Sequence, residues 1–333
     1  MTQTTRSEAQ AVKAAPPPLI SMLNRVRQVD EIGVLVALFV MGFILTMSTD
    51  VFLTPVNLLQ VARQASYYGI MAVGMVFVIS MGDIDLSVGS ILMLVNIVVG
   101  LALREGVPLG AAILIGIGAG AVCGFVNGGL SVLLRIPTII VTLGTLSVFR
   151  GIGLVISKAT PISQFPKDNW FFTVGGGNIL GVPSSVVVML LVCAAGFVIF
   201  NRTSFGRRVQ AIGSNRQAAL FSGIRINQNR IMVMTLNGII SAIAGIMALA
   251  FLQAGDPQTG PGFELYVIAS AIIGGTQLSG GSGSIPGAVL GALIIAVIRN
   301  GLVLIGLSAY WSTVATGAVI ILAVAIDYFI KRR

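Results

Sequence analysis

The sequence predicts an all-α polytopic integral membrane protein of about ten transmembrane helices. Three observations predict it. Hydrophobic residues make up 56% of the 333 positions and charged residues only 9%; mean hydropathy is +0.98. Apolar runs close to the ~20 residues needed to cross ~30 Å of hydrocarbon recur along the whole chain.

Taken in order, residues 1–30 form a tail whose first 18 residues are polar, then Ala- and Pro-rich, with no apolar core, so no cleaved signal peptide is expected and the first span serves as the insertion signal. Within it, Leu19, Leu23 and Val26 recur at helical spacing beside Arg25 and Arg27. This is either a short interfacial helix or an unstructured lead. The transmembrane domain covers 31–330, with apolar runs at 32–48, 67–81, 86–103, 109–134, 138–157, 182–200, 231–253, 265–279, 285–305 and 311–330, before a short C-terminus at 331–333. The runs 67–81 and 265–279 are short enough to be tilted, broken or re-entrant.

Arginines set the orientation. The segment 201–230 holds Arg202, Arg207, Arg208, Arg216, Arg225 and Arg230 without an acid, and the chain ends Lys331, Arg332, Arg333. By the positive-inside rule both are cytoplasmic, as is the N-terminal tail. Ten spans satisfy all three and place Asp50, Asp256 and Glu264 outside. The connection 158–181 then also lies outside, with Trp170, Phe171 and Phe172 as interfacial anchors or as contacts to a partner. The net charge of +9 is spread over short loops and is explained by topology, not by nucleic-acid binding.

Histidine is absent, and the two cysteines, Cys123 and Cys193, each sit inside an apolar run. No catalytic residue, metal site or disulfide is expected. No G-x-x-x-x-G-K-[ST] loop occurs, so the chain is expected to bind no nucleotide itself.

Two segments, 69–100 and 267–298, each run as an apolar helix, a polar Gly/Ser break and a second helix. They are either two copies of one device, as in many transporters, or the ordinary result of close helix packing. The breaks hold Gly82, Asp83, Asp85, Ser87 and Gly89 in the first segment and Gly280, Gly281 and Gly283 in the second. Asp85 with Ser87 is expected to N-cap the third span.

The stretches GDIDLSVGS (82–90), IPTIIVTLGTLSVFRGIGLVIS (136–157), TSFGRRVQAIGSNRQAALFSGI (203–224) and IASAIIGGTQLSGGSGSIPGAVLGALI (268–294) together resemble, in this order, the permease subunits of ribose/xylose-type ABC importers. The resemblance covers roughly residues 60 to 330. It implies a subunit of the bacterial cytoplasmic membrane, paired with a second permease copy, with ATPase subunits that hold ATP and Mg, and with a periplasmic sugar-binding protein. The family usually reads Gly-Gly-Ile-Asp where this chain has Gly82-Asp83-Ile84-Asp85, which adds a carboxylate, and Arg299 stands where a neutral polar residue is expected.

The insert at 203–224 then reads as a coupling element. Ser214, Asn215, Arg216 and Gln217 fit an S-x-x-Q capping box, Ala218, Ala219, Leu220 and Phe221 form two short turns, and Gly223 suits a left-handed stop. Such a helix is too short to stand alone. It lies either on lipid headgroups or, as the resemblance implies, in a groove of an ATPase domain, with Arg207 and Arg208 at its flank.

Polar residues inside spans are candidates for the solute path: Asn96, Asn127, Thr142, Thr145, Arg150, Asn237, Arg299 and Asn300. Each Asn and Thr serves either that path or a helix-to-helix hydrogen bond. Arg150 and Arg299 either pair with Glu264 or Asp256 or reach the headgroups. The expected function is translocation of a monosaccharide or small polyol in an ATP-driven importer; the alternative is an ion-coupled carrier working without an ATPase.

Overall fold

A computed structural model describes residues 30–308 other than 168 and 169, with scattered positions between 310 and 321. The 19–29 segment, 331–333 and most of the expected span 311–330 lie outside the described residues.

Eleven α-helices follow one another among the described residues: α1 (Asp30–Ser48), α2 (Pro55–Ser80), α3 (Val88–Arg104), α4 (Leu109–Leu134), α5 (Thr138–Ser157), α6 (Ser184–Arg202), α7 (Ser204–Ser214), α8 (Arg216–Phe221), α9 (Ile226–Leu252), α10 (Phe263–Ile273) and α11 (Ile285–Leu304). Five of them, α4, α5, α6, α9 and α11, are long and apolar enough to cross a membrane. Proline sets several starts. Pro108, Pro137 and Pro183 stand as extended residues immediately before α4, α5 and α6, and Pro55 follows the Thr54 cap of α2.

The run 67–81 proves to be the apolar half of a longer helix. α2 begins twelve residues earlier, at Pro55, and its 26 residues span ~39 Å. From Tyr68 to Ser80 every residue is buried, so this helix is the centre of the fold. α11, α9, α6 and α10 pack around it. By contrast, α10 has 11 residues and spans only ~16 Å.

α4 and α9 form the most extensive pair. Gly120, Gly124 and Gly128 recur every fourth residue along α4, so the backbones meet without side chains between them. A Cβ on Gly120 would stand 2.5 Å from the Gly238 carbonyl oxygen, and one on Gly124 would stand 2.9 Å from Thr235 Cα. Gly124→Val is therefore expected to destabilise the protein by ~1–3 kcal/mol, read as a lower melting temperature in detergent. The outer faces of α4 and α5 expose Leu114, Val122, Phe125, Leu133, Leu143 and Val155, as lipid-facing helices do.

Three parts of the fold differ from the sequence expectation. The segment after α9 does not stay at the end of the bundle but runs down the side of α3. Asn96 Oδ1 accepts the Asp256 amide at 2.8 Å, and a Cβ on Gly89 would stand 2.5 Å from the Gly260 carbonyl and 2.8 Å from Glu264 Oε2. Glu264, expected in an outer loop, thus lies against the first turn of α3. Of the three successive aromatics in the 158–181 connection, only Trp170 is exposed; Phe171 and Phe172 are buried in a π-helical turn (Phe171–Gly175) and pack with Phe165. A hairpin of β1 (Asn178–Ile179) and β2 (Val182–Pro183) follows, turning through Leu180 and Gly181 at positive φ. The basic insert, finally, contains two helices, α7 and α8, rather than one.

The two polar breaks meet at the end of the bundle that carries the basic insert. Gly82 and, in the other break, Gly280 and Gly281 adopt left-handed φ of +83°, +83° and +90°, and the Gly281 amide donates to the Ser80 carbonyl at 2.9 Å. α7 closes over this junction, with Gly213 set so tightly that a Cβ there would stand 2.5 Å from the Gly281 nitrogen.

Candidate functional site

The first break places two carboxylates two residues apart, and each ties the same three helices together. Asp83 accepts from Arg230 Nε at 2.8 Å, from Arg230 Nη2 at 3.1 Å and from the Thr138 hydroxyl at 3.0 Å. Both members of this ion pair are nearly enclosed, with 11% and 9% of their side-chain surface exposed. Thr138 in turn meets Ser131 at the foot of α4. The additional carboxylate in the motif is therefore the partner of Arg230, near the start of α9.

Asp85 is fully buried. Its Oδ1 accepts the Ser87 amide at 2.8 Å and the Ser87 hydroxyl at 2.7 Å, and its Oδ2 accepts Asn237 Nδ2 at 2.9 Å. The chain of bonds continues: Asn127 Nδ2 donates to Ser87 Oγ at 2.7 Å, and Thr145 donates to Asn127 Oδ1 at 2.6 Å. Thr142 donates to the Ile84 carbonyl. The expected N-cap is thereby corrected. Neither side chain caps the first-turn amides of α3; Asp85 holds the residue before the helix, because its oxygens are already claimed by Ser87 and Asn237.

Of the remaining path candidates, Asn96 secures the descending loop, and Arg150 stands within electrostatic reach of Glu264 without a close ion pair among the described residues. Arg299 and Asn300 have a different setting. They line a cavity of about 620 Å³ between α2, α9, the 258–260 segment and α11. Arg299 donates to the Tyr68 hydroxyl and lies over the Tyr266 ring, 4.7 Å from its centroid. Asn300 and Asn57 exchange both amide bonds, at 2.7 and 3.0 Å. Sequence reasoning missed the other cavity residues Gln60, Arg63, Gln64 and Tyr68, although Gln60, Arg63 and Gln64 follow the i, i+3, i+4 spacing of one helix face.

In the insert, Thr203 caps α7 and Asn215 caps α8, its Oδ1 accepting the Ala218 amide at 2.9 Å. The cap expected at Ser214 is thus one residue later. Ser214 is the last residue of α7 and is packed against Gly281, so it is not available to open α8. Gly223 takes the expected left-handed φ, +78°. Arg207 and Arg208 are exposed on α7; among the described residues Arg208 bonds the Ser204 carbonyl and Arg207 that of Arg202. On α8, Ala219 faces inward, whereas Leu220 is 60% and Phe221 89% exposed, beside a groove of about 510 Å³ that Arg216, Leu220, Ile224 and Arg225 help to line.

Residues 57–324 match the family described as branched-chain amino acid transport system / permease component. The chain belongs to this permease family. The permease is 40% identical over 298 residues to the ribose import permease protein RbsC of Bacillus subtilis, covering 90% of this chain and 92% of that protein. It is 36% identical over 330 residues to the D-allose transport system permease protein AlsC of Escherichia coli, covering 99% of both, and 31% identical over 305 residues to the L-arabinose ABC transporter permease protein AraH of Azospirillum brasilense, covering 90% and 88%. No solved structure matches the permease. The helical, multi-span fold and these relatives make it a membrane component of an ABC import system.

Proposed function

We propose that the chain forms the pathway by which a monosaccharide or similar small polyol, delivered by a periplasmic binding protein, crosses the bacterial inner membrane. ATP is bound with Mg and hydrolysed in separate ATPase subunits, and two copies of this chain pair as a homodimer, with both termini and the basic insert in the cytoplasm. Sugar relatives along nearly the whole chain support the solute class. The observation that carries the coupling is the insert itself. A capped two-turn helix presents Leu220 and Phe221 outward while its neighbour, α7, is seated on the junction of the two breaks. A force applied to such a helix reaches the spans through packed backbone.

The direct test is to tag the chain, extract native membranes in mild detergent and identify copurifying proteins by mass spectrometry. An ATPase subunit in near-equal ratio is expected. A chain that purifies alone, and moves sugar without ATP when reconstituted, would overturn the reading.

A further inference from the structure

The cavity between α2, α9 and α11 carries two guanidinium groups and no carboxylate. Arg63 and Arg299 line it, and none of the other lining residues is Asp or Glu. We propose that this cavity binds an anion-bearing ligand, a polyhydroxylated carboxylate or phosphate, with Arg299 and Arg63 as its counter-charges. As a statement about the solute it rests on the reading of the chain as a transport subunit and narrows it.

The partners of both arginines are neutral. Arg299 bonds the Tyr68 hydroxyl, and Arg63 donates to Asn178 Oδ1 at 3.0 Å and to the Gly176 carbonyl at 3.4 Å. Such partners orient a guanidinium but leave its charge in place, and among the described residues the ion pairs are Arg104 with Glu105 and Arg230 with Asp83. Glu264 follows the lining residue Phe263 directly, but its Oε1 accepts the Gly262 amide and its Oε2 lies against Gly89 on α3.

Uncompensated positive charge within a membrane protein is costly, and a cleft with apolar walls concentrates its field on whatever enters. The two guanidinium groups are also positioned by aromatic rings. Arg299 lies over Tyr266, and Arg63 lies over Phe251, 4.0 Å from its centroid, which holds both charges at the cavity wall, where a carboxylate or phosphate can meet them. The carboxamides of Gln60 and Gln258 on the same walls suit hydroxyl groups.

The test uses the full chain with its copurifying subunits in phosphatidylcholine nanodiscs, without ATP, so that its outcome is independent of whether an ATPase is present. Titration with D-gluconate and with ribitol, followed by calorimetry, is expected to give binding about tenfold tighter for the acid. Arg299→Gln and, separately, Arg63→Gln should each lower the affinity for gluconate about tenfold, with Arg299→Lys keeping more of it than Arg299→Gln. If gluconate has no effect but phosphatidylglycerol in the nanodisc raises the melting temperature of the wild type and not of Arg299→Gln, the anion is a lipid headgroup and the site stands. Equal affinity for gluconate and ribitol, gluconate binding unmoved by both Gln variants, or no response to either anion, overturns the proposal.

Discussion

Replacing Leu220 and Phe221 together by aspartate is expected to reduce ATP-driven uptake to background while the chain inserts and melts as the wild type does. The two side chains are 60% and 89% exposed, so neither contributes much to the fold. In the function proposed above, they anchor the helix in a groove of the ATPase subunit. Apolar anchors of that kind contribute ~2–4 kcal/mol each to an interface, and burying two carboxylates instead opposes docking outright. The measurement is paired: uptake in reconstituted vesicles, and recovery of the ATPase subunit with the tagged chain. Loss of both with an unchanged melting temperature is the expected result. Unchanged uptake would leave α8 as a surface helix on the lipid headgroups.

The second large effect is expected at the buried ion pair. Removing one member, by Asp83→Ala or Arg230→Ala, leaves the other charge enclosed beside Thr138 with nothing to balance it, at a cost of ~3–5 kcal/mol. Thermal unfolding in detergent should show this for each variant. The double variant Asp83→Ala with Arg230→Ala removes both charges and is expected to be less destabilised than the sum of the two, which isolates the pair from the packing around it. Strict additivity would mean that the two groups do not interact. Because Arg230 stands near the start of α9, shortly after α8, the pair also links the end of the basic insert to the first break, beside the contact through Gly213.

Much of the architecture was legible in the chain. The limits of α4 and α5, 109–134 and 138–157, are those expected, since Pro108, Arg135, Pro137 and Lys158 bound apolar runs of spanning length. The left-handed Gly223 was legible for the same local reason. What escaped depends on pairing across the sequence. α7 was hidden because Gly206 and Gly213, poor helix formers, are there to let Phe200, Ser80 and Gly281 approach. Ser214 and Asn215 are both good caps, and only the packing of Ser214 on Gly281 decides between them. Phe171 and Phe172 read as interfacial anchors until the connection is seen folding back onto Ala250. Asp83 and Arg230 are 147 positions apart, beyond any motif.

That separation has a consequence for how the protein is made. Ser87 enters the membrane 40 residues ahead of its partner Asn127 and Asp85 152 residues ahead of Asn237, and Ser80 waits still longer for Gly281. While the ribosome is still working, the α2–α3 hairpin therefore holds two acidic groups whose partners on α5 and α9 have not been synthesised. Biogenesis passes through a stage in which half the chain is inserted yet unfinished, with polar groups facing hydrocarbon or drawn toward the surface. Truncated chains ending before α9 should be prime substrates for membrane quality-control proteases, and the last third of the polypeptide completes the assembly of the first.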